Sequence, residues 1–142
     1  MKGILMSVPH EFTQAEIVKT RDFLKGRVHD KSKIVGGALT GNPFVSYGEV
    51  ASHMGYEIET EWDGDRVGNL VGAVSYMEHA CGNPLLSAVV VVAATQTPGK
   101  GLYSLGRELE FLKKDADLIA ELTFWKNQVF EIVRRWGGHN SL

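Results

Sequence analysis

NPFVSYGEVASHMG (residues 42–55) and DRVGNLVGAVSYMEHACGNPLLSAVVVV (residues 65–92) form the stretch that decides the fold. In the first segment Ser46 and Glu49 make a capping box, in which each side chain satisfies a backbone N–H at the start of a short helix. Gly55 suits a left-handed helix end. The second segment has apolar residues at helical spacing, then a Gly-Asn-Pro stop and a valine-rich run. This order predicts a short helix, a connector, a longer helix and a buried strand, which is typical of a winged helix-turn-helix.

Within this stretch the local patterns also predict how the elements are joined. Tyr56–Trp62 alternates apolar and acidic residues, which indicates a half-buried strand or an extended connector. Asp63-Gly64-Asp65 is read as a turn that supplies the cap of the longer helix. Leu85–Ala94 is apolar and rich in valine, so a fully buried strand is expected.

Outside this stretch, capping and turn signals predict further elements. Thr13-Gln-Ala-Glu16 is a second capping box, and two glycines with a proline mark residues 95–101 as a loop. The other predicted elements are a short strand or extended arm at residues 3–8, a helix from about Gln14 to Lys25 that ends at Gly26, a short helix over Lys33–Leu39, and helices over Leu102–Lys113 and Asp115–Trp136.

These elements predict one domain over residues 1–142, of mostly helical α+β class. A winged helix-turn-helix-like core with a small sheet would span about residues 42–104. Two C-terminal helices would occupy about residues 102–136. The 115–136 helix has one apolar stripe, which would contact either the core or a second subunit, so a homodimer through this helix is an open alternative.

Charge is close to balanced overall but uneven along the chain. The 142 residues carry a net charge of −2 with a pI near 6.2, which gives no general attraction to nucleic acid. Lys19–Lys33 contains six Lys and Arg against two Asp, whereas Glu57–Asp65 contains five acids and no base. Either segment could steer a partner, or could simply be a solvated surface.

The sequence also bears on location and cofactors. Cys81 is the single cysteine, which excludes an internal disulfide. Met1–Val8 does not fit a signal peptide, and the longest fully apolar run, Ala88–Ala94, is too short to span a bilayer. We therefore expect a cytoplasmic protein that does not enter a membrane, with no cofactor and no metal site.

The central stretch resembles the DNA-binding half of the O6-alkylguanine-DNA alkyltransferases and alkyltransferase-like proteins. Tyr47-Gly48-Glu49-Val50-Ala51 matches the first motif of that family, Gly55 follows it, Val67-Gly68 and the next four residues resemble the third motif, and Pro84 with Val89-Val90 occupies the place of the last. The resemblance covers about fifty residues and implies a winged-helix DNA-binding domain.

The same comparison implies that the chemistry of that family is absent. Pro84 is followed by Leu85-Leu86-Ser87-Ala88, so the reactive cysteine and its histidine are missing. Asp65 stands where the family has an arginine that enters the base stack. A second, vaguer likeness to small bacterial and phage proteins rests on the helix start at Tyr47-Gly48-Glu49, the strand that begins Pro84-Leu85-Leu86-Ser87, and the turn at Pro98–Tyr103. It implies no activity.

Two functions from different classes therefore compete. The first is a non-enzymatic DNA-binding domain, with Lys100 on a wing tip or at a helix start that holds phosphate. Its candidate contacts are Ser46, Tyr47, Arg66, Asn69 and Lys100, supported by the basic Lys19–Lys33 segment. The second is a regulator or inhibitor that binds a basic protein through Glu57, Glu59 and Glu61.

Enzymatic alternatives have weaker support. Glu78, His79 and Cys81 point in different directions on a helix, so they do not form a metal site by spacing. A hydrolase that uses His10, Glu11 or His79 is the lesser alternative, and no catalytic residue is assigned.

Overall fold

Five α-helices and five short strands make up residues 12–59 and 61–138, the part of the chain that the computed structural model describes. The strand or arm predicted at residues 3–8 lies outside that part. The fold is α+β and mostly helical with a small sheet, as predicted. The helices are α1 (Gln14–Lys31), α2 (Tyr47–Met54), α3 (Glu61–Ala80), α4 (Lys100–Glu108) and α5 (Leu118–Trp136); the strands are β1 (Ser32–Val35), β2 (Ala38–Gly41), β3 (Val45–Ser46), β4 (Val90–Val92) and β5 (Thr97–Pro98).

The core lies where α1, α3 and α5 pack around the valine-rich segment that follows α3. Each helix contributes apolar residues one turn apart, because that spacing places them on one face. Burial of each such side chain contributes about 1.5–3 kcal/mol relative to exposure. The buried members include Leu24 and Val28 of α1, Leu70 and Val74 of α3, and Val129 and Val133 of α5.

Helix α1 begins at the predicted capping box but runs past Gly26, where the sequence predicted its end. The Thr13 side chain accepts from Glu16 N, and the Glu16 side chain accepts from Thr13 N, as predicted. Glycine inside a helix costs only about 1 kcal/mol. The next turn places Val28 in the core, and that burial outweighs the cost.

The short helix predicted over Lys33–Leu39 is wrong, because this segment is the β1–β2 hairpin. Val35 pairs with Ala38 across a two-residue turn. Gly36 and Gly37 both adopt left-handed backbone, with φ of +58° and +82°. Two adjacent residues with positive φ are the requirement of the tight hairpin turn that matches the twist of paired strands.

Helix α2 confirms the prediction at both ends. The Ser46 side chain accepts from Glu49 N at 3.0 Å, and Ser46 N donates to Glu49 at 3.0 Å. Gly55 ends the helix in left-handed backbone with φ of +75°. The chain therefore leaves α2 abruptly and turns toward α3.

Helix α3 begins earlier than predicted, so Asp63-Gly64-Asp65 is helical and is not a turn. The predicted strand over Tyr56–Trp62 is also wrong. Residues 56–59 form an unpaired connector, and residues 61 and 62 already belong to α3. The Asp63 carboxylate accepts from Glu59 N at 2.9 Å, which ties the connector to the first turn of α3.

The fully buried strand predicted over Leu85–Ala94 is correct only in part: Leu85–Val91 is buried, but Val92, Ala93 and Ala94 are exposed, and the segment is not one continuous strand. Leu86–Val89 forms a 3-10 turn, and only Val90–Val92 pairs as β4. Side chains take the place of a sheet partner for the unpaired backbone: Gln128 accepts from Leu85 N at 2.8 Å, Trp125 donates to Ala88 O at 2.9 Å, and Ser75 accepts from Ser87 N at 2.8 Å. Buried peptide groups need such partners, whatever the conformation of the backbone.

The small sheet sets the start of α4. β4 lies between β3, to which it is parallel, and β5, to which it is antiparallel. Residues 93–96 form the turn between β4 and β5, and α4 starts two residues after β5. The loop predicted at residues 95–101 is therefore wrong in part, because it contains β5 and the start of α4. The helix predicted at residues 102–113 is also wrong in its bounds. The helix ends at Glu108, and Glu110 adopts left-handed backbone soon after it.

Candidate nucleic-acid interface

An open groove of about 1130 Å³ runs between α3 and α4. Three of its lining residues are the glycines Gly68 and Gly72 of α3 and Gly101 of α4. Apart from the adjacent residues and the backbone of the same helix, no described atom lies within 4 Å of a Cβ built at any of these three positions. The wall of the groove is therefore bare backbone there, and a ligand could approach it closely.

Tyr47 links α2 to the start of α4 at one side of this groove. Its hydroxyl accepts a hydrogen bond from Gly99 N at 3.2 Å. A Cβ at Gly99 would collide with the Tyr47 hydroxyl, so glycine is required for this contact. Burial raises the pKa of Tyr47, which keeps the hydroxyl neutral.

Lys100 is the first residue of α4 and lies at the same groove, together with Asn69 of α3. Gly99 caps α4 and has no side chain to bond the N–H groups of its first turn. These groups and the positive end of the helix dipole favour an anion at this point. Lys100 is not at the tip of a hairpin, because the turn between β4 and β5 is formed by residues 93–96.

Two carboxylates also line the groove. One is Asp65, and the other is Glu108, which accepts a hydrogen bond from the Tyr76 hydroxyl at 2.9 Å across the groove. That bond raises the pKa of Tyr76. Among the described side chains that line the groove, Lys100 is the sole cation against these two acids. A polyanion would therefore gain few charge contacts there.

Arg66 does not belong to the groove, although the sequence grouped it with the other candidates. Its guanidinium lies 4.0 Å from the centroid of the Tyr56 ring and 3.5 Å from the Glu16 carboxylate. The Tyr56 hydroxyl donates to the same carboxylate. Arg66 therefore faces α1, whereas the groove faces α4.

This cluster shifts the pKa values of both of its acidic members. Burial, followed by the bond to Glu16, raises the pKa of Tyr56 to about 12. The hydrogen bond from Tyr56, assisted by Thr13 and Arg66, lowers the pKa of Glu16. The carboxylate stays charged and the phenol stays neutral at neutral pH, which stabilises the join between α1, the connector and α3.

Ser46 also has a structural role, because its side chain caps the N-terminus of α2. The structure therefore brings together Tyr47, Asn69 and Lys100, and it leaves Ser46 and Arg66 in structural roles. Arg66 differs from the groove residues because it contacts Glu16, which is distant along the chain. Such a contact cannot be read from the local sequence.

The basic segment Lys19–Lys33, on α1 and the start of β1, is less cationic at the surface than its composition implies. Lys25 pairs with Glu78 at 2.8 Å, Arg27 pairs with Glu49 at 2.7 Å, and Arg21 lies 3.0 Å from Asp22. Its exposed lysines are Lys19, Lys31 and Lys33. These ion pairs neutralise half of the six basic residues.

The acidic connector is a second candidate surface. Glu57 and Glu59 are exposed, and the side chain of Glu61 lies outside the described part. Ile58 between them is 45% exposed, which the predicted strand would not have allowed. An exposed apolar side chain flanked by acids suits a protein partner better than it suits nucleic acid.

No group of three or more His, Cys, Asp or Glu side chains in residues 12–59 and 61–138 is arranged to hold a metal ion. Glu78 is instead bonded to Lys25 and Asn83, and His79 packs edge-on against Phe111. His10 and Glu11 lie outside the described residues.

A scan against protein-family models, a search of curated proteins and a search of solved structures each returned no significant match. The resemblance to the alkyltransferase family therefore stays a prediction.

Proposed function

We propose that this chain is a non-enzymatic DNA-binding domain of winged-helix, alkyltransferase-like type that holds nucleic acid at the α3–α4 groove. One observation carries the proposal: Tyr47, Asn69 and Lys100, from three separate elements, line the same groove at the open N-terminus of α4. An amide and an ammonium group are suited to base edges and phosphate.

The order of elements supports this proposal. The chain runs through β3, α2, α3, β4, a turn and β5, which is the order of a strand, a helix pair and a two-stranded wing. In such a domain the second helix of the pair faces the groove of the nucleic acid. Here that helix is α3, and its half-exposed Tyr76 offers a ring on which a base could stack.

The charges of the groove set the expected strength of binding. Lys100 is opposed by Asp65 and Glu108, so we expect few phosphate contacts. The logarithm of the binding constant should fall with the logarithm of the salt concentration with a slope of about −1 to −2, because each neutralised phosphate adds roughly −0.9 for duplex DNA.

Lys100→Glu should weaken binding to random-sequence DNA by about tenfold at low salt and make that slope shallower by about one, because a phosphate contact is lost. A salt titration against duplex and single-stranded DNA measures both effects. Lys126→Glu makes the same charge change at an exposed lysine of α5, away from the groove and from the basic segment. Arg66→Gln should leave binding unchanged. The proposal fails if the wild-type chain does not bind at low salt, or if the Lys126 and Lys100 variants behave alike.

A protein-binding regulator is the second candidate, and the exposed Ile58 between Glu57 and Glu59 favours it. The partner would present a basic rim around an apolar pocket, because such a surface complements this connector. Under this proposal the groove between α3 and α4 would not be needed for binding.

Double reversal of the connector, Glu57→Lys with Glu59→Lys, should abolish capture of a basic partner from a lysate and leave or improve DNA binding. Ile58→Ala should weaken capture without any change of charge. Asp22→Lys together with Asp30→Lys is a matched control, because it reverses two exposed acids on α1. Capture that is equal for the connector and control variants would reject this candidate.

The remaining predictions concern membrane insertion, cellular location, enzymatic activity and oligomeric state. Within residues 12–59 and 61–138, every helix is too short or too polar to cross a bilayer. Cytoplasmic location, a hydrolase activity and a homodimer through the 115–136 helix stay predictions.

A further inference from the structure

Tyr76 and Glu108 form a bridge between the two helices that line the α3–α4 groove. Tyr76 belongs to α3, and its hydroxyl donates to the Glu108 carboxylate of α4 at 2.9 Å. The ring is therefore held at both ends, by its own backbone and by its hydroxyl, although the residue is 50% exposed. An aromatic ring that is already fixed in one orientation loses less entropy when a flat partner stacks on it.

The bridge offers a ligand acceptors rather than donors. A phenol has one proton, and Tyr76 gives it to Oε2 of Glu108. A carboxylate only accepts hydrogen bonds, and Glu108 is exposed, so a ligand can reach it. This end of the groove therefore suits a flat ring that carries hydrogen-bond donors at its edge, and it does not suit a phosphate.

We infer that the groove takes an unpaired nucleobase on the Tyr76 ring, and that Glu108 selects bases with an exocyclic amino group, such as cytosine. This inference rests on the proposed function, and it adds the form of the nucleic acid and a specificity-determining residue at the same groove. The neighbours of a base in a duplex already cover both of its faces. A single strand can turn a base face toward an aromatic side chain.

Glu108 would distinguish bases by their hydrogen-bonding groups. The amino group N4 of cytosine donates to a carboxylate, whereas the same position of thymine is a carbonyl oxygen, which a carboxylate repels. The N3–H of thymine lies between two carbonyl oxygens, so a carboxylate that approaches it meets the same repulsion. The preference for cytosine therefore comes from an attraction to one base and a repulsion of the other.

The length of α4 separates this acidic end from the groove's cation. Lys100 and Glu108 are the first and last residues of α4, and both line the groove. The rise per residue of an α-helix places them about 12 Å apart along the axis. A phosphate beside Lys100 would thus lie away from the carboxylate, and the bare backbone at Gly101 lets the strand approach between the two.

Fluorescence anisotropy with oligo-dC and oligo-dT of equal length, at one low salt concentration, tests the selection. The wild-type chain should bind oligo-dC about tenfold more tightly, because it gains a hydrogen bond to a charged acceptor. Glu108→Gln should lower that ratio to about twofold or less, because the amide can also donate to the thymine carbonyl. Glu110→Gln is the matched control: it makes the same change at an exposed acid outside the groove and should keep the wild-type ratio.

Tyr76→Ala tests the stacking. Loss of the ring should weaken binding of oligo-dC by about fivefold or more, and it should weaken binding of a random-sequence duplex less, because only the unpaired base uses the ring. Phe111→Ala removes another ring, 49% exposed and outside the groove, and should leave both affinities unchanged. Equal effects of the two substitutions on oligo-dC would overturn the stacking on Tyr76.

The outcomes separate this inference from the proposed function. If the wild-type chain binds oligo-dC and oligo-dT equally, or if Glu108→Gln keeps the wild-type ratio, while Lys100→Glu still weakens binding, the selection by Glu108 is wrong and the DNA-binding groove stands. If the wild-type chain binds neither oligonucleotide nor duplex at low salt, both the proposed function and this inference are wrong.

Discussion

Glu78→Ala should lower the free energy of unfolding by about 3–5 kcal/mol, because it breaks a buried ion pair and leaves its partners without a counter-charge. The Glu78 side chain is only 4% exposed. Lys25 Nζ lies 2.8 Å from one carboxylate oxygen, and Asn83 Nδ2 donates to the other at 2.6 Å. The contacts continue outward: Lys25 Nζ lies 4.4 Å from the centroid of the Trp136 ring, and Arg135 donates to the Asn83 side chain.

This network joins α1, the end of α3 and the end of α5. Its loss should therefore weaken the packing of all three long helices. Urea unfolding followed by circular dichroism measures the effect. Glu131→Ala removes an exposed carboxylate that pairs with Arg134 within α5, and should cost less than about 0.5 kcal/mol. Glu78→Gln keeps an acceptor for Asn83 and should fall between the two. If Glu78→Ala lowers the free energy of unfolding by less than about 1 kcal/mol, the prediction is wrong. Water would then hydrogen-bond the Lys25 ammonium group in place of the carboxylate.

The sequence alone predicted those elements whose stabilising contacts join residues that are close along the chain. The capping boxes at Thr13 and Ser46 each need only a glutamate three residues later in the chain. The helix end at Gly55 needs only the ability of glycine to adopt a positive φ. Burial of Leu85–Val91 also followed from composition. In each case the deciding interaction lies within the segment itself.

The errors lie where a distant contact decides. Gly26 would end an isolated helix, but the packing of α1 on α3 carries the helix through it. Leu86–Val89 would favour a strand, but Gln128 and Trp125 of α5 satisfy the peptide groups of the 3-10 turn instead. Such partners lie about forty residues away, and spacing cannot reveal them.

The candidate site divides in the same way. Residue type was enough to choose Tyr47, Asn69 and Lys100, which the structure brings to one groove. Type alone could not separate Arg66 from them, because its partner Glu16 lies fifty residues earlier in the chain. The exposure of Leu118 and Leu122 also required a structure, since the buried and exposed halves of the apolar stripe of α5 have similar sequences.

Gly41→Ala should be the second severe substitution, with a loss of about 3 kcal/mol or more, because it combines backbone strain with overlap. Gly41 adopts φ of +87° and pairs with Ser32 at the open end of the hairpin. A Cβ there would overlap the carbonyl oxygen of Lys31 and lie 3.0 Å from its carbonyl carbon. That same oxygen accepts from Asn42 N at 2.9 Å, so it cannot move away without the loss of a hydrogen bond.

Gly37→Ala separates strain from overlap. Gly37 has a similar φ of +82°, but no described atom lies within 4 Å of its added Cβ. The left-handed backbone alone costs a non-glycine residue about 1–2 kcal/mol, which is the loss expected for Gly37→Ala. Urea unfolding of both variants should therefore show Gly41→Ala as the more destabilised by at least about 1 kcal/mol. Equal losses would show that the join between α1 and β1 yields to the methyl group, and that only the backbone requirement at φ fixes glycine at position 41.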